Sequence, residues 1–195
     1  MSFLKKIFNL SVKEDSNKHQ NQEENISIDE LFVHNFVSKG GMFLYCLNKT
    51  ELTNSINNIL KENNWSQISL LNNSLSSFFK KKEVNFVEEF DENIPVFSVC
   101  EYLISDNGGI LFSSNQLKST KLSEMPQNFI VYATTSQMVK SMGQALTGIK
   151  KRYKENLPTN ISAIKNYAVN KNEDNLLNLG NTNSKNLYLL LLEDL

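Results

Sequence analysis

The spacing of apolar residues changes period along the chain, and each change marks an element. In "SIDELFVHNFVSKGG", Leu31, Phe32, Asn35 and Phe36 share one side of a helix half-sunk in a core. Ser27 stands in capping-box spacing to Glu30, and Gly40-Gly41 marks the helix stop. "MFLYCL" is continuously apolar and rich in β-formers, as suits a buried parallel strand. "KTELTNSINNILKENNW" returns to helical spacing through Leu52, Ile56, Ile59 and Leu60. Helix, strand and helix in that order are the grammar of an open α/β sheet.

Further along, "SQISLL" reads as a strand and "NSLSSFFKKKEV" as a helix with a basic end at Lys80, Lys81 and Lys82. A solvated helix C-terminus favours such a lysine run, and a phosphate-binding patch is the alternative. "VNFVEEF" and "IPVFSV" are short extended pieces. "EYLISDNGGILFSS" reads as helix, turn and strand, followed by a loop "SNQLKSTKLSEMP" and a strand "NFIVYA". A long helix is expected over residues 136–153, with Met138, Val139, Met142, Leu146 and Ile149 on one face. "LYLLLLEDL" is so uniformly apolar that it belongs inside a sheet covered on both faces.

The first residues behave differently. "MSFLKKIFNL", residues 1–10, sets apolar residues at helical spacing around Lys5 and Lys6 and reads as an amphipathic helix. Residues 11–25 are polar, without an apolar repeat, and read as a flexible linker. The folded domain is expected over residues 26–195. Docked against that domain the amphipathic segment is a frayed end; free of it, it is a weak membrane-surface or partner contact.

Composition narrows the function. The net charge is -1, so no basic field points to nucleic acid. No apolar run reaches the roughly 18 residues needed to cross a bilayer, and the N-terminus carries no signal-peptide pattern, which points to the cytoplasm. Cys46 and Cys100 are the two cysteines, both in apolar stretches and outside any metal-ligand spacing, so buried, inert thiols are expected. His19 and His34 are the two histidines, too few for a His-rich metal site. An iron–sulfur cluster needs about four thiolates, so this chain is expected to bind none.

The turn Asp106-Asn107-Gly108-Gly109 is the one stretch whose chemistry stands out. Paired glycines permit positive φ and let another group approach the backbone, while Asp106 and Asn107 hydrogen-bond their own turn. A plain turn and a ligand turn both satisfy these facts. The dinucleotide fingerprint, the P-loop and the GxSxG elbow are all absent.

"VCEYLISDNGGILFSS" resembles the signature segment of the lactate-utilisation (LUD) domain family, the LutC/YkgG-like group, which has a stretch like A-D-A-A-I-A-E-T-G-T-L there. In that pattern Cys100 stands for the first Ala, Glu101 for the Asp, Asp106 for the Glu and Asn107 for the Thr. Ile104 and Gly108 are retained, and Gly109 replaces the Thr that follows. Lys121, Leu122, Met125-Pro126, residues 129–133 and the closing apolar strand resemble later parts of the family pattern. The chain departs from it where members have S-G-P-S-x-T-A-D-I-E and G-V-H-G-P. Here it reads "ISAIKNYAVNKNEDNLLNLGNTNSKNLY", with Glu173, Asp174 and Gly180 as the nearest substitutes.

The resemblance implies a divergent member with a three-layer α/β fold, an open mixed sheet with helices on both faces, similar to ribose-phosphate isomerase and CoA-transferase-like proteins. It also implies an accessory subunit of a system that oxidises lactate or another 2-hydroxy acid, beside an iron–sulfur oxidoreductase partner. Glu101, Asp106, Asn107, Gly108, Gly109, Ser113, Ser114 and Lys121 are then the expected lining of a site for a small anionic ligand, with glycine N–H groups facing the anion. Replacing Gly108 by Val is expected to remove the ligand and leave the fold mostly intact. A non-catalytic binding or scaffold module with a diverged ligand site is the alternative. A stand-alone isomerase or transferase would need Glu101 or Asp106 as general base.

Overall fold

The computed structural model describes residues 26–79, 84–167 and 184–194. Expectations for residues 1–10, 11–25, Lys80, Lys81, Lys82, Glu173, Asp174 and Gly180 fall outside the described residues.

Six strands form a wholly parallel sheet in the order β1-β10-β7-β4-β2-β3. These are β1 (Met42–Cys46), β2 (Gln67–Leu70), β3 (Asn85–Val87), β4 (Val96–Val99), β7 (Asn128–Thr134) and β10 (Asn186–Leu192). Alternate residues of β7 and β10 build two cores. Phe129, Val131, Ala133, Leu187, Leu189 and Leu191 face one side; Ile130, Leu190 and Leu192 face the other. Burying each such side chain contributes roughly 1.5–3 kcal/mol before the entropic cost.

Helix α2 (Lys49–Glu62), capped by Asn48, covers one face with Leu52, Ile56, Ile59 and Leu60. Helix α1 (Ile28–Ser38) meets the other face through Phe32, Val33 and Phe36. The capping box read from Ser27 and Glu30 is formed: the Ser27 N–H donates to Glu30 Oε2 at 3.0 Å, and the Glu30 N–H to Ser27 Oγ at 3.4 Å.

Beside α1 lies a second sheet that the apolar pattern did not announce, ordered β8-β5-β6-β9. Its strands are β5 (Tyr102–Ile104), β6 (Gly109–Ser113), β8 (Met138–Val139) and β9 (Ile161–Ile164). Leu103, Ile110, Phe112, Met138 and Ile164 point into the core under the parallel sheet. Tyr102, Ile104 and Leu111 point outward, where Ala145 and Ile149 of helix α4 (Met142–Tyr153) cover them. The α/β class with helices on both faces is therefore as expected, and the mixed strand pairing resides in this smaller sheet.

Five local readings change. The residues before Asp106 form β5 rather than a helix, because a run of three β-prone apolar residues carries no usable period. Met138 and Val139 pair with Leu103 and Ile104, and the helix begins only at Met142, where Ser141 Oγ caps the Gln144 N–H. The serine-rich stretch makes a 3₁₀ helix (Asn73–Phe78) instead of an α-helix. Ser76 and Ser77 hydroxyls there donate to the carbonyls of Asn73 and Ser74 at 2.7 and 2.8 Å, competing with helical bonding. Strand β1 is parallel as expected but lies at the sheet edge, with Cys46 its only buried residue. Helix α3 (Ser114–Leu117) and a 3₁₀ turn (Leu122–Glu124) interrupt the expected loop.

Lys185, just before β10, is buried. Its amine donates to the Met125 carbonyl at 2.7 Å and lies 5.6 Å from the Phe129 ring centre. Desolvation lowers its pKa to about 8 from 10.5. Between those values the unfolded chain binds the extra proton, so stability rises with pH from about 8 to about 10 and is lowest below that window. Lys185→Met is expected to flatten this rise and to gain about 1–2 kcal/mol near pH 7, partly offset by the orphaned carbonyl. Urea unfolding of both proteins across pH 7–10 checks it.

Candidate functional site

The β5–β6 hairpin holds six of the eight candidate residues at or between its ends, with Ser114 just beyond. Its pairing runs from Tyr102 opposite Leu111 to Ile104 opposite Gly109, so its two ends lie about 10 Å apart. The Asp106–Gly109 turn is at one end; Glu101, Ser113 and Ser114 are at the other. Lys121 belongs to neither group: it is exposed and pairs with Glu124 at 3.6 Å, a surface contact worth under about 1 kcal/mol.

The turn is closed by its neighbours. Asn107 Oδ1 accepts the Gly109 N–H at 2.8 Å, so that donor is already engaged. Asn35 of α1 donates to the Ser105 carbonyl at 2.8 Å, Lys39 to the Asn107 carbonyl at 2.6 Å, and the Tyr167 hydroxyl to the Gly108 carbonyl at 2.6 Å. Burial pushes the Tyr167 hydroxyl pKa up, which keeps it a donor. Gly108 has φ +62°, and a Cβ there would come within 2.6 Å of the α1 backbone at Asn35 and Phe36. That close approach corrects the expectation for Gly108→Val. The glycine is needed because the α1 backbone lies against it. Asp106 stays exposed, its N–H donating to the Lys140 carbonyl.

At the far end, a fully buried carboxylate organises the sheet. Glu101 Oε1 accepts from Ser113 Oγ at 2.6 Å and Gln116 Nε2 at 2.9 Å, and Oε2 accepts from Arg152 Nη1 at 3.1 Å. The Tyr153 hydroxyl lies 3.0 Å from both oxygens. Desolvation alone would lower the Arg152 pKa; hydrogen bonding with Tyr153, with Tyr102 and Glu101 nearby, outweighs it and raises it. The guanidinium also lies 5.1 Å from the Tyr102 ring centre. Gly148 makes room for that ring, since a Cβ would come within 2.7 Å of Tyr102 Cζ. A general base needs a lone pair facing its substrate, and these four donors enclose the Glu101 carboxylate. Ser114 Oγ accepts the Thr159 N–H at 3.0 Å.

Sequence reasoning missed Gln116, Arg152 and Tyr153 as the partners of Glu101, and Asn35, Lys39 and Tyr167 as the partners of the turn. One signal was available: Ser113 and Gln116 have capping-box spacing, and the Ser113 N–H does donate to Gln116 Oε1 at 2.8 Å. Burial pushes both cysteine thiols up, and neither sulfur is in a disulfide. Among the described residues no group of three or more His, Cys, Asp or Glu is placed to hold a metal ion. No helix among them is long and apolar enough to cross a membrane.

At the carboxyl edge of the parallel sheet, Asp194 closes β10 onto the segment after β7. Its carboxylate accepts from Thr135 Oγ1 at 2.6 Å, the Ser136 N–H at 2.9 Å and Ser136 Oγ at 2.5 Å. Desolvation would raise its pKa, but these hydrogen bonds hold it well below the usual carboxylate range.

The architecture is that of an open parallel α/β sheet carrying a small hairpin sheet on one face. It is similar to the crystal structure of a DUF162 family protein from Deinococcus radiodurans, with a TM-score of 0.60 and 12% identity over 85% of this chain and 96% of that one. No curated protein matches the chain. The LUD domain model matches residues 30–192, and the chain belongs to the LUD domain family.

Two substitutions test the hairpin's internal contacts. Glu101→Gln turns one acceptor into a donor facing donors, and is expected to cost about 2–4 kcal/mol, a fall in melting temperature of roughly 5–10 °C. Gly108→Ala combines positive φ with contact against the α1 backbone, and is expected to cost a similar 2–4 kcal/mol. Thermal unfolding monitored by circular dichroism measures both; a loss under about 0.5 kcal/mol would refute either assignment.

Proposed function

We propose that the chain is an accessory subunit of a cytoplasmic system that oxidises lactate or a related 2-hydroxy acid. The single observation that carries this reading is membership of the LUD domain family over most of the chain. Oxidation of a 2-hydroxy acid to the 2-oxo acid releases two electrons and two protons. A chain with two cysteines, both buried, has no ligand set for an iron–sulfur cluster, so the electrons pass to centres on a partner subunit. The subunit contributes a rigid surface and a site for a small anion. Of the eight candidate residues, Asp106, Asn107, Ser114 and Lys121 are exposed or half-exposed and within reach of such an anion or of the partner.

A second reading, a non-catalytic binding or scaffold module, is favoured by a different observation. The groups expected to face a ligand, Glu101, Ser113 and the Gly109 N–H, already have partners within the chain.

Purification of the tagged full chain without oxygen separates the two. The accessory reading expects a brown, Cys-rich partner and dye reduction that depends on lactate. A colourless chain with no turnover rejects that reading. For the scaffold reading, deletion of residues 1–10 is expected to change complex size or location while leaving the melting temperature unchanged.

A further inference from the structure

The parallel sheet has a topological switch point. From β2 the chain moves outward to β3, whereas from β4 it moves the opposite way to β7. In open α/β sheets the crevice outside the carboxyl ends of strands at such a point is where ligands bind, because diverging connections leave it uncovered. Strands β4 and β2 flank that point, and a cleft of about 520 Å³ opens on the other side of β2, at the carboxyl ends of β2 and β3. Its size falls within the range for small-molecule sites.

The lining is chemically mixed. Leu70 and Val87 end the two strands, and Asn73 and Ser76 come from the 3₁₀ helix. Phe86 forms an aromatic wall, 49% exposed, with its ring centre 5.4 Å from that of Phe79. Glu88 and Lys118 supply one charge of each sign, and neither makes an ion pair among the described residues. Lys118 is also held at φ 55° and ψ -123°, a conformation that suits glycine, while its N–H donates to the Ser114 carbonyl at 2.8 Å.

We propose that this cleft binds a planar aromatic anion of mononucleotide size. The ring packs on Phe86, the anionic group meets the Lys118 ammonium, and Asn73, Ser76 and Glu88 serve polar substituents between them. The proposal is independent of the accessory-subunit reading, because it concerns the isolated chain and needs no partner.

The test titrates the full chain with adenosine monophosphate, and separately with inorganic phosphate, by calorimetry and ligand-observed NMR. Phe86→Ala and Lys118→Gly are the variants. Phe86→Ala gives up the ring contact with Phe79, so its fold is verified by circular dichroism; Lys118→Gly is expected to raise the melting temperature while weakening binding, so lost binding in that variant will not reflect unfolding. The expected result is saturable binding of the nucleotide, weakened about tenfold or more by each variant, with phosphate alone binding more weakly. Three results each overturn the proposal. One is no saturation below about 10 mM nucleotide. The others are binding that both variants leave unchanged, and phosphate binding as tight as the nucleotide's.

Discussion

A strand buried on both faces has no solvent to satisfy its backbone, so every N–H and C=O must find a partner on a neighbouring strand. Strands β7 and β10 are in that position, and their seven-residue parallel register from Asn128 opposite Asn186 to Thr134 opposite Leu192 meets the demand. Everything else follows from closing the two apolar faces they create. Helix α2 closes one, and α1 with the small sheet closes the other. The second closure is harder, because a four-stranded sheet laid on a core exposes a second apolar face of its own. Helix α4 exists in this fold to cover that face.

The small sheet is fastened by polar contacts at both ends of one hairpin. At one end, the turn carbonyls accept from Asn35, Lys39 and Tyr167, tying it to α1 and to the segment after β9. At the other, the buried Glu101 carboxylate gathers Ser113, Gln116, Arg152 and Tyr153, tying β5 to α3 and to the end of α4. A buried carboxylate is costly unless its lone pairs are filled, and here they are filled by groups from three separate elements. Residues that stand in for a family signature are thus engaged in holding the molecule together.

Strong local signals were legible in the sequence. The Ser27–Glu30 capping box, the four apolar positions of α2 and the uniformly apolar β10 each depend on residues near one another in the chain, and all three formed. What was not legible depended on distant partners. Tyr102, Leu103 and Ile104 suit either helix or strand, and pairing with Leu111 and Met138 makes them a strand. Gly108 reads equally well as a ligand contact or a packing contact until α1 is placed against it, 70 residues earlier in sequence for the Asn35–Ser105 bond. The cleft of Phe86 and Lys118 had no sequence signature either, since its residues come from two strands, a 3₁₀ helix and the end of α3 with no common spacing.

Strand β10 lies between β1 and β7, yet it follows all the other described strands in the chain. During synthesis on the ribosome, β1 and the β7–β4–β2–β3 half therefore emerge with a strand-wide gap between them. Both flanks present unpaired backbone and apolar side chains until β10 arrives to fill it. Long-range parallel pairing of this kind is slow and leaves such edges open to other chains. The nascent protein consequently relies on protection of these edges until β10 joins β1 to β7.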